Sequence, residues 1–143
     1  MYLLDSDTIT LFLNGHSTVT KRVLQTPNEL IYVSSVTVEE ILIHGWYAKI
    51  TESRGSKPKI SLEQAFTQFH KSIRDLNTFN LLALNKESED RYKSLPADAK
   101  RVGREDCKLA AHAIVAGATV VTRNTVDFVR IPHVKFEDWS RED

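Results

Sequence analysis

Asp5, Glu39, Glu40, Asp106, Asn124 and Asp127 are the residues whose types and positions could do chemistry. Asp5 directly follows the short apolar run Tyr2-Leu3-Leu4. Asn124 and Asp127 directly follow the apolar run that ends at Thr122. Glu39 and Glu40 lie early in a helix predicted over 37–50, and Asp106 lies in the first turn of one predicted over 104–116. At ~100° per residue, Asp106 shares a stripe with Leu109, Ala110 and Ala113, while Arg101, Arg104, Lys108 and His112 share the other. A carboxylate on an apolar face is costly unless it is paired or metal-bound. The blander account is that Asp106 complements the positive helix N-terminus, an effect of ~0.3–1 kcal/mol. Glu39 falls with Ile43, Trp46 and Ile50, and Glu40 with His44 and Tyr47, so the wheel leaves open which of the two belongs to a site.

If Asp5, one of the two glutamates, Asp106 and an oxygen donor near 124–127 converge, they form a cluster of hard oxygen ligands. Their mutual repulsion calls for a cation or for protonation. His16, His44, His70, His112 and His133 show no zinc-type spacing, so Mg²⁺ or Mn²⁺ is the natural counter-ion. Such ions hold water and phosphate oxygens together and can support phosphodiester cleavage.

The elements that would position these residues alternate between strand and helix. Strands are expected at 2–4, 30–33, 81–84, 118–122 and 134–136. The helix after Asp5 is expected at 7–14, with Ser6 or Asp7 as its N-cap and Asn14-Gly15 as its stop. Others are expected at 17–25 and from Ser61 to about residue 79, and the polar segment 51–58 reads as a loop. Alternating strands and helices predict an α/β fold with a parallel sheet of four or five strands, covered on both faces. Ligands in such folds sit beyond the carboxyl ends of the strands, where Asp5 and Asn124 fall.

A chain of 143 residues is expected to be one domain, 1–143, with a substantial core. Lys plus Arg and Asp plus Glu are 19 each, which excludes a strongly basic nucleic-acid binder and an acidic disordered tail at the whole-chain level. Cys107 is the sole cysteine; it excludes a disulfide-stapled secreted fold and fits a reducing cytoplasm. No stretch approaches the ~18 apolar residues of a membrane span, and the N-terminus meets Asp5 too early for a signal peptide.

The pieces in order resemble a known family. Met1-Tyr2-Leu3-Leu4-Asp5-Ser6-Asp7-Thr8, Val33 to Glu40, Asp106 to Ala111, Ala118 to Phe128 and Val134 to Trp139 resemble successive segments of PIN-domain ribonucleases, and most of all VapC toxins of VapBC toxin–antitoxin pairs. The resemblance implies a three-layer α/β/α domain. It also implies a metal-binding set of Asp5, Glu40 and Asp106, with Asn124 at a position that is often a fourth acid and sometimes Asn. Asp127 is the alternative there, and Ser6 a polar supporter. It further implies Mg²⁺- or Mn²⁺-dependent cleavage of RNA, often tRNA, a VapB-type antitoxin partner and a homodimer. Two departures stand out: Asn124 replaces an acid, and Gly45 lies five residues after Glu40 where the family often has four. Arg123 at the catalytic edge, with Arg104 and Lys108 on the Asp106 helix, are the candidate RNA contacts.

Two other functions compete. Asp5-Ser6-Asp7-Thr8 after a strand also fits the Asp-x-Asp-x-Thr motif of haloacid-dehalogenase-type phosphatases, with Asp5 as nucleophile; no downstream acidic pair completes that motif. The Asn124 departure alone supports an inactive PIN-like RNA- or protein-binding module. Cys107, beside an acid and without a positioned histidine, reads as a packed side chain rather than a nucleophile.

Overall fold

The computed structural model describes residues 1–142. Strand β1 (Tyr2–Leu4) is followed at once by helix α1 (Ser6–Leu13), then α2 (Ser17–Gln25) and a single 3₁₀ turn (Asn28–Leu30). Strand β2 (Ile31–Ser34) runs into one long helical rod. It is α-helical at α3 (Ser35–Glu39), π-helical over Glu40–Tyr47, and α-helical again at α4 (Ala48–Ser53). Helix α5 (Leu62–Leu76), strand β3 (Asn80–Leu82), and helices α6 (Lys86–Lys93), α7 (Ala97–Lys100) and α8 (Arg104–Ala116) follow. Strand β4 (Thr119–Val121), helix α9 (Thr125–Phe128) and strand β5 (Lys135–Glu137) complete the described chain.

The five strands form one parallel sheet in the order β3-β2-β1-β4-β5. Its register pairs Leu3 with Tyr32 and Leu4 with Val121. Side chains alternate across a strand, so neighbouring residues feed two different cores. Leu3 and Val120 pack with Leu109, Ala110, Ala113 and Phe128 under α8. Leu4, Ile31, Val33 and Val121 pack with Ile9, Val19, Val23 and Trp139 under α1 and α2. The result is the expected three-layer α/β/α arrangement with the larger of the two anticipated strand counts.

Several local expectations change. The N-cap of α1 is Asp5, whose Oδ1 accepts from the Thr8 N–H at 3.1 Å, not Ser6 or Asp7. The rod after β2 starts at Ser35, where the Ser34 hydroxyl caps it, and it continues to Ser53, so only the remainder of the 51–58 segment is loop. Helix α5 opens with a full capping box between Ser61 and Gln64 and ends at Leu76, three residues early. Gly117 ends α8 in the left-handed conformation (φ 66°), which glycine adopts without the Cβ penalty.

His112 does not lie on a solvated stripe. Helix α8 is covered by the sheet on one side and by α6 on another, and His112 is buried. Its Nδ1 lies 2.7 Å from the Ser34 hydroxyl. That hydroxyl also accepts from the Val36 N–H. The ring donates to the Ala83 backbone, so in the neutral imidazole Nδ1 is the acceptor and the Ser34 hydroxyl donates to it. Cys107 is buried, with its thiol directed at the Ala99 carbonyl, and burial pushes its pKa up.

Candidate active site

The residues that end β1 and β4 are locked together at the carboxyl edge of the sheet. The Asp5 N–H donates to the Val121 carbonyl at 3.1 Å, and the Thr8 hydroxyl donates to the same carbonyl at 2.9 Å. This holds the start of α1 against the end of β4. The Thr122 N–H then bonds the Glu137 carbonyl, which ties in β5.

Above this edge lies an open cleft of about 580 Å³ lined by Asp5, Ser6, Asp7, Glu40, Asp106 and Asn124. Arg123, Asp138, Ser140 and Arg141 line it as well. Asp5, Glu40 and Asp106 come from separate elements and meet here. Glu39 does not: it is exposed, and its Oε1 lies 3.2 Å from His44 Nε2 on the outer side of the rod.

The π-helical segment accounts for that division. On an α-helix, residues five apart are ~140° apart around the axis. A π turn bonds residue i to i+5 and absorbs one extra residue. It brings Glu39 and His44 onto one outward side while Glu40 turns into the cleft. Glu39, His44 and Glu105 have ligand atoms within 4.8 Å of one another. The first two side chains are half exposed, and Glu105 is already 3.4 Å from Lys108 Nζ.

The cleft acids are electrostatically loaded. Burial first, and then the Asp7 carboxyl beside it, push Asp5 up to about 9, against smaller opposing bonds from Thr122 and the Thr8 N–H. Glu40 is raised by burial and by the charges of Asp106, Glu105 and Asp7, partly offset by a bond to Ser6. Asp106 is raised by burial and by Asp127, Asp7 and Glu105, partly offset by Asn124. Asp5, Glu40 and Asp106, raised by burial and crowded by neighbouring carboxylates, form a donor set that fits a hard divalent cation.

Asn124 has a defined orientation. Its amide nitrogen lies 2.8 Å from Asp106 Oδ2 and 2.9 Å from Asp127 Oδ2. Both neighbours are acceptors, so the NH₂ must face them. Asn124 therefore grips Asp106 through its donors and turns its own oxygen away. Asp127 stands behind Asn124 and does not line the cleft.

Sequence reasoning missed three contributors. Asp7, expected only as a cap, lines the cleft beside Asp5. Asp138 and Arg141 lie past β5, where no periodicity marks them. Of the basic candidates, Arg123 lines the cleft, whereas Arg104 and Lys108 do not. Lys108 pairs with Glu105, and Arg104 is exposed.

Comparison with known proteins agrees with this architecture. The PIN-domain family model matches residues 2–134, and the chain belongs to that family. Within it, the chain resembles VapC proteins. It is 29% identical to "Ribonuclease VapC2" of Rickettsia felis over 146 residues, covering 99% of each chain. It is 26% identical to "Ribonuclease VapC1" of Haemophilus influenzae over 147 residues, again covering 99% of each. Among solved structures, the FitAB complex bound to an IR36 DNA fragment superposes with a TM-score of 0.74 at 21% identity, covering 100% of this chain and 98% of that one. The VapBC2 complex of Rickettsia felis on a promoter DNA fragment gives a TM-score of 0.69 at 23% identity, covering 96% and 98%. No helix among the described residues is long and apolar enough to cross a membrane.

Proposed function

We propose that the chain is a divalent-metal-dependent endoribonuclease, the toxin of a VapBC-type pair. The observation that carries this is the meeting of Asp5, Glu40 and Asp106, with Asp7, in one cleft at the carboxyl edge of the sheet. The VapC names of its relatives supply the substrate class. Asp5, Glu40 and Asp106 would hold Mg²⁺ or Mn²⁺. When bound, that ion supplies charge for the phosphate oxygens and acidifies a water for attack on phosphorus.

The chain's own residues do the rest. Burial keeps the carboxylates in a low-dielectric recess, where electrostatic contacts are stronger than in water. Asn124 acts as a positioning residue, fixing Asp106 through its amide hydrogens. Ser6 does the same for Glu40. Arg123 lines the same cleft and would offer a phosphate a fork of donors. Hydrolysis breaks one P–O bond and leaves the phosphate on one product and a hydroxyl on the other; no side-chain nucleophile takes part.

A VapB-type antitoxin is the proposed partner, on the strength of the VapBC complexes among the structural relatives. The proposed setting is the cytoplasm, in a single domain that forms homodimers, with tRNA among the candidate substrates. The deciding experiment is cleavage of a labelled RNA by purified protein with Mn²⁺, Mg²⁺ or a chelator. Cleavage that needs the ion and disappears in Asp106→Asn supports the proposal. Ion-dependent cleavage that survives Asp5→Asn and Asp106→Asn defeats it. A covalent phospho-aspartate at Asp5 with hydrolysis of small phosphate esters would indicate the phosphatase instead, and metal-independent RNA binding without cleavage the inactive module.

A further inference from the structure

The stretch after β5 is built, not loose. Trp139 is buried, stacks edge-on against Tyr2 with ring centres 5.0 Å apart, and donates its indole N–H to Glu137 at 2.8 Å. Asp138 Oδ1 accepts from both the N–H and the hydroxyl of Ser140, at 2.9 and 2.6 Å. Its Oδ2 accepts from Arg141 Nε at 3.0 Å. The Ser140 bonds first, and then the Arg141 and Arg123 charges, hold Asp138 below the usual carboxylate range despite its burial. Asp138 is thus a clip that holds the Ser140 backbone and one guanidinium edge of Arg141, whose side chain stays three-quarters exposed.

Arg141 lines two neighbouring cavities. One is the acidic cleft. The other is an open, mainly polar groove of about 500 Å³ along α2, lined by Ser17, Thr18, Lys21, Arg22, Gln25 and Glu142 as well as Arg141. Arg141 is common to both linings. A path therefore runs from the carboxylates past Arg123 and Arg141 to Lys21 and Arg22. Once it leaves the carboxylate end, the cations Arg123, Arg141, Lys21 and Arg22 outnumber the acids Asp138 and Glu142 along it.

We propose that this path is the track for the RNA strand on one side of the scissile phosphate, with Arg141 and Lys21 contacting successive backbone phosphates. It builds on the ribonuclease assignment and adds where the strand runs. A chain of zero net charge gains no affinity for RNA from its overall field, so a local cationic path must supply the backbone contacts that position the strand without reading its sequence. The mix of hydroxyl, amide and cationic lining suits a phosphate–sugar backbone better than an apolar peptide.

The test uses the full chain carrying Asp106→Asn, so that RNA is bound and not cut. Affinity for a labelled single-stranded RNA is measured by fluorescence anisotropy across a salt series. Each lost phosphate contact lowers the slope of log affinity against log salt by about 0.7 for a single strand. The pair Arg141→Gln and Lys21→Gln should lower it by about 1.4, so that a rise from about 50 to about 200 mM salt costs this variant about sevenfold less affinity than its parent. Lys57→Gln, in the loop after α4 and outside both cavities, removes the same charge and should leave the slope unchanged.

Equal slopes in the parent and the double variant overturn the track. So does an equal fall in the Lys57→Gln control. If the unsubstituted chain cleaves RNA while the double variant keeps its slope but no longer binds the antitoxin, the groove is a protein surface and only this inference fails. If the unsubstituted chain neither binds nor cleaves RNA, the ribonuclease assignment itself falls, and the track with it.

Discussion

At the scale of single residues, the cleft acids sit at odds with stability, as functional groups often do. Folding raises Asp5 from 3.8 to about 9. The folded protein keeps a proton that the unfolded chain has released above pH ~4. Metal-free stability should therefore fall as pH climbs from about 4 toward 9, and Asp5→Asn should flatten that slope, leaving the smaller contributions of Glu40 and Asp106. Asparagine also serves as an N-cap for Thr8, so the variant should melt a few degrees above the parent without metal while losing all RNA cleavage. A lower melting temperature for Asp5→Asn in chelator would refute this account. Asn124→Asp works in the opposite direction. It places a carboxylate against Asp106 and Asp127 in place of two donated hydrogen bonds. We expect a lower melting temperature in chelator and a tighter divalent ion, read by calorimetric titration with Mn²⁺.

At the scale of elements, the π-helical stretch and α8 show what periodicity could and could not reveal. Asp5 and Asn124 were legible because apolar strands of a parallel sheet end in polar residues at one edge. The choice between Glu39 and Glu40 was not, because a wheel drawn at 100° per residue fails where the helix takes in an extra residue. The spacing of Gly45 from Glu40 was the only trace of that insertion. Gly45 has ordinary helical backbone, and an added Cβ would meet the Glu40 carbonyl at a comfortable 3.6 Å. Gly45→Ala should thus stabilise the rod by about 0.5–1 kcal/mol, measured by urea unfolding. His112 was misplaced because the wheel assumes one covered face, whereas α8 has two. Burial lowers its pKa below 6.5, so the folded protein binds fewer protons here than the unfolded chain does. The stability it contributes is present above pH ~6.5 and is lost as pH falls through that value. His112→Gln should flatten the decline in melting temperature between about pH 7 and pH 5; a decline as steep as the parent's would contradict this role.

At the scale of the whole molecule, a ligand that binds only the folded state stabilises it. A divalent ion at 100 times its Kd should add about 2.7 kcal/mol, and a chelator should reverse the gain. The gain should vanish in the combined Asp5→Asn and Asp106→Asn variant, as read by thermal melts with and without Mn²⁺. The sheet order was only half legible, since alternation of strand and helix predicts parallel strands but not which strand lies in the middle. That place belongs to β1, with β2 on one side and β4 on the other. Ribosomes deliver chains from the N-terminus, at ~5–20 residues per second. The first strand made is therefore the one that must wait for a neighbour more than a hundred residues downstream. Asp5 cannot take its bond to Val121, nor Asp106 its grip from Asn124, until the chain has been translated past Asn124. On the ribosome the acidic cleft is therefore assembled late, from carboxylates made about a hundred residues apart.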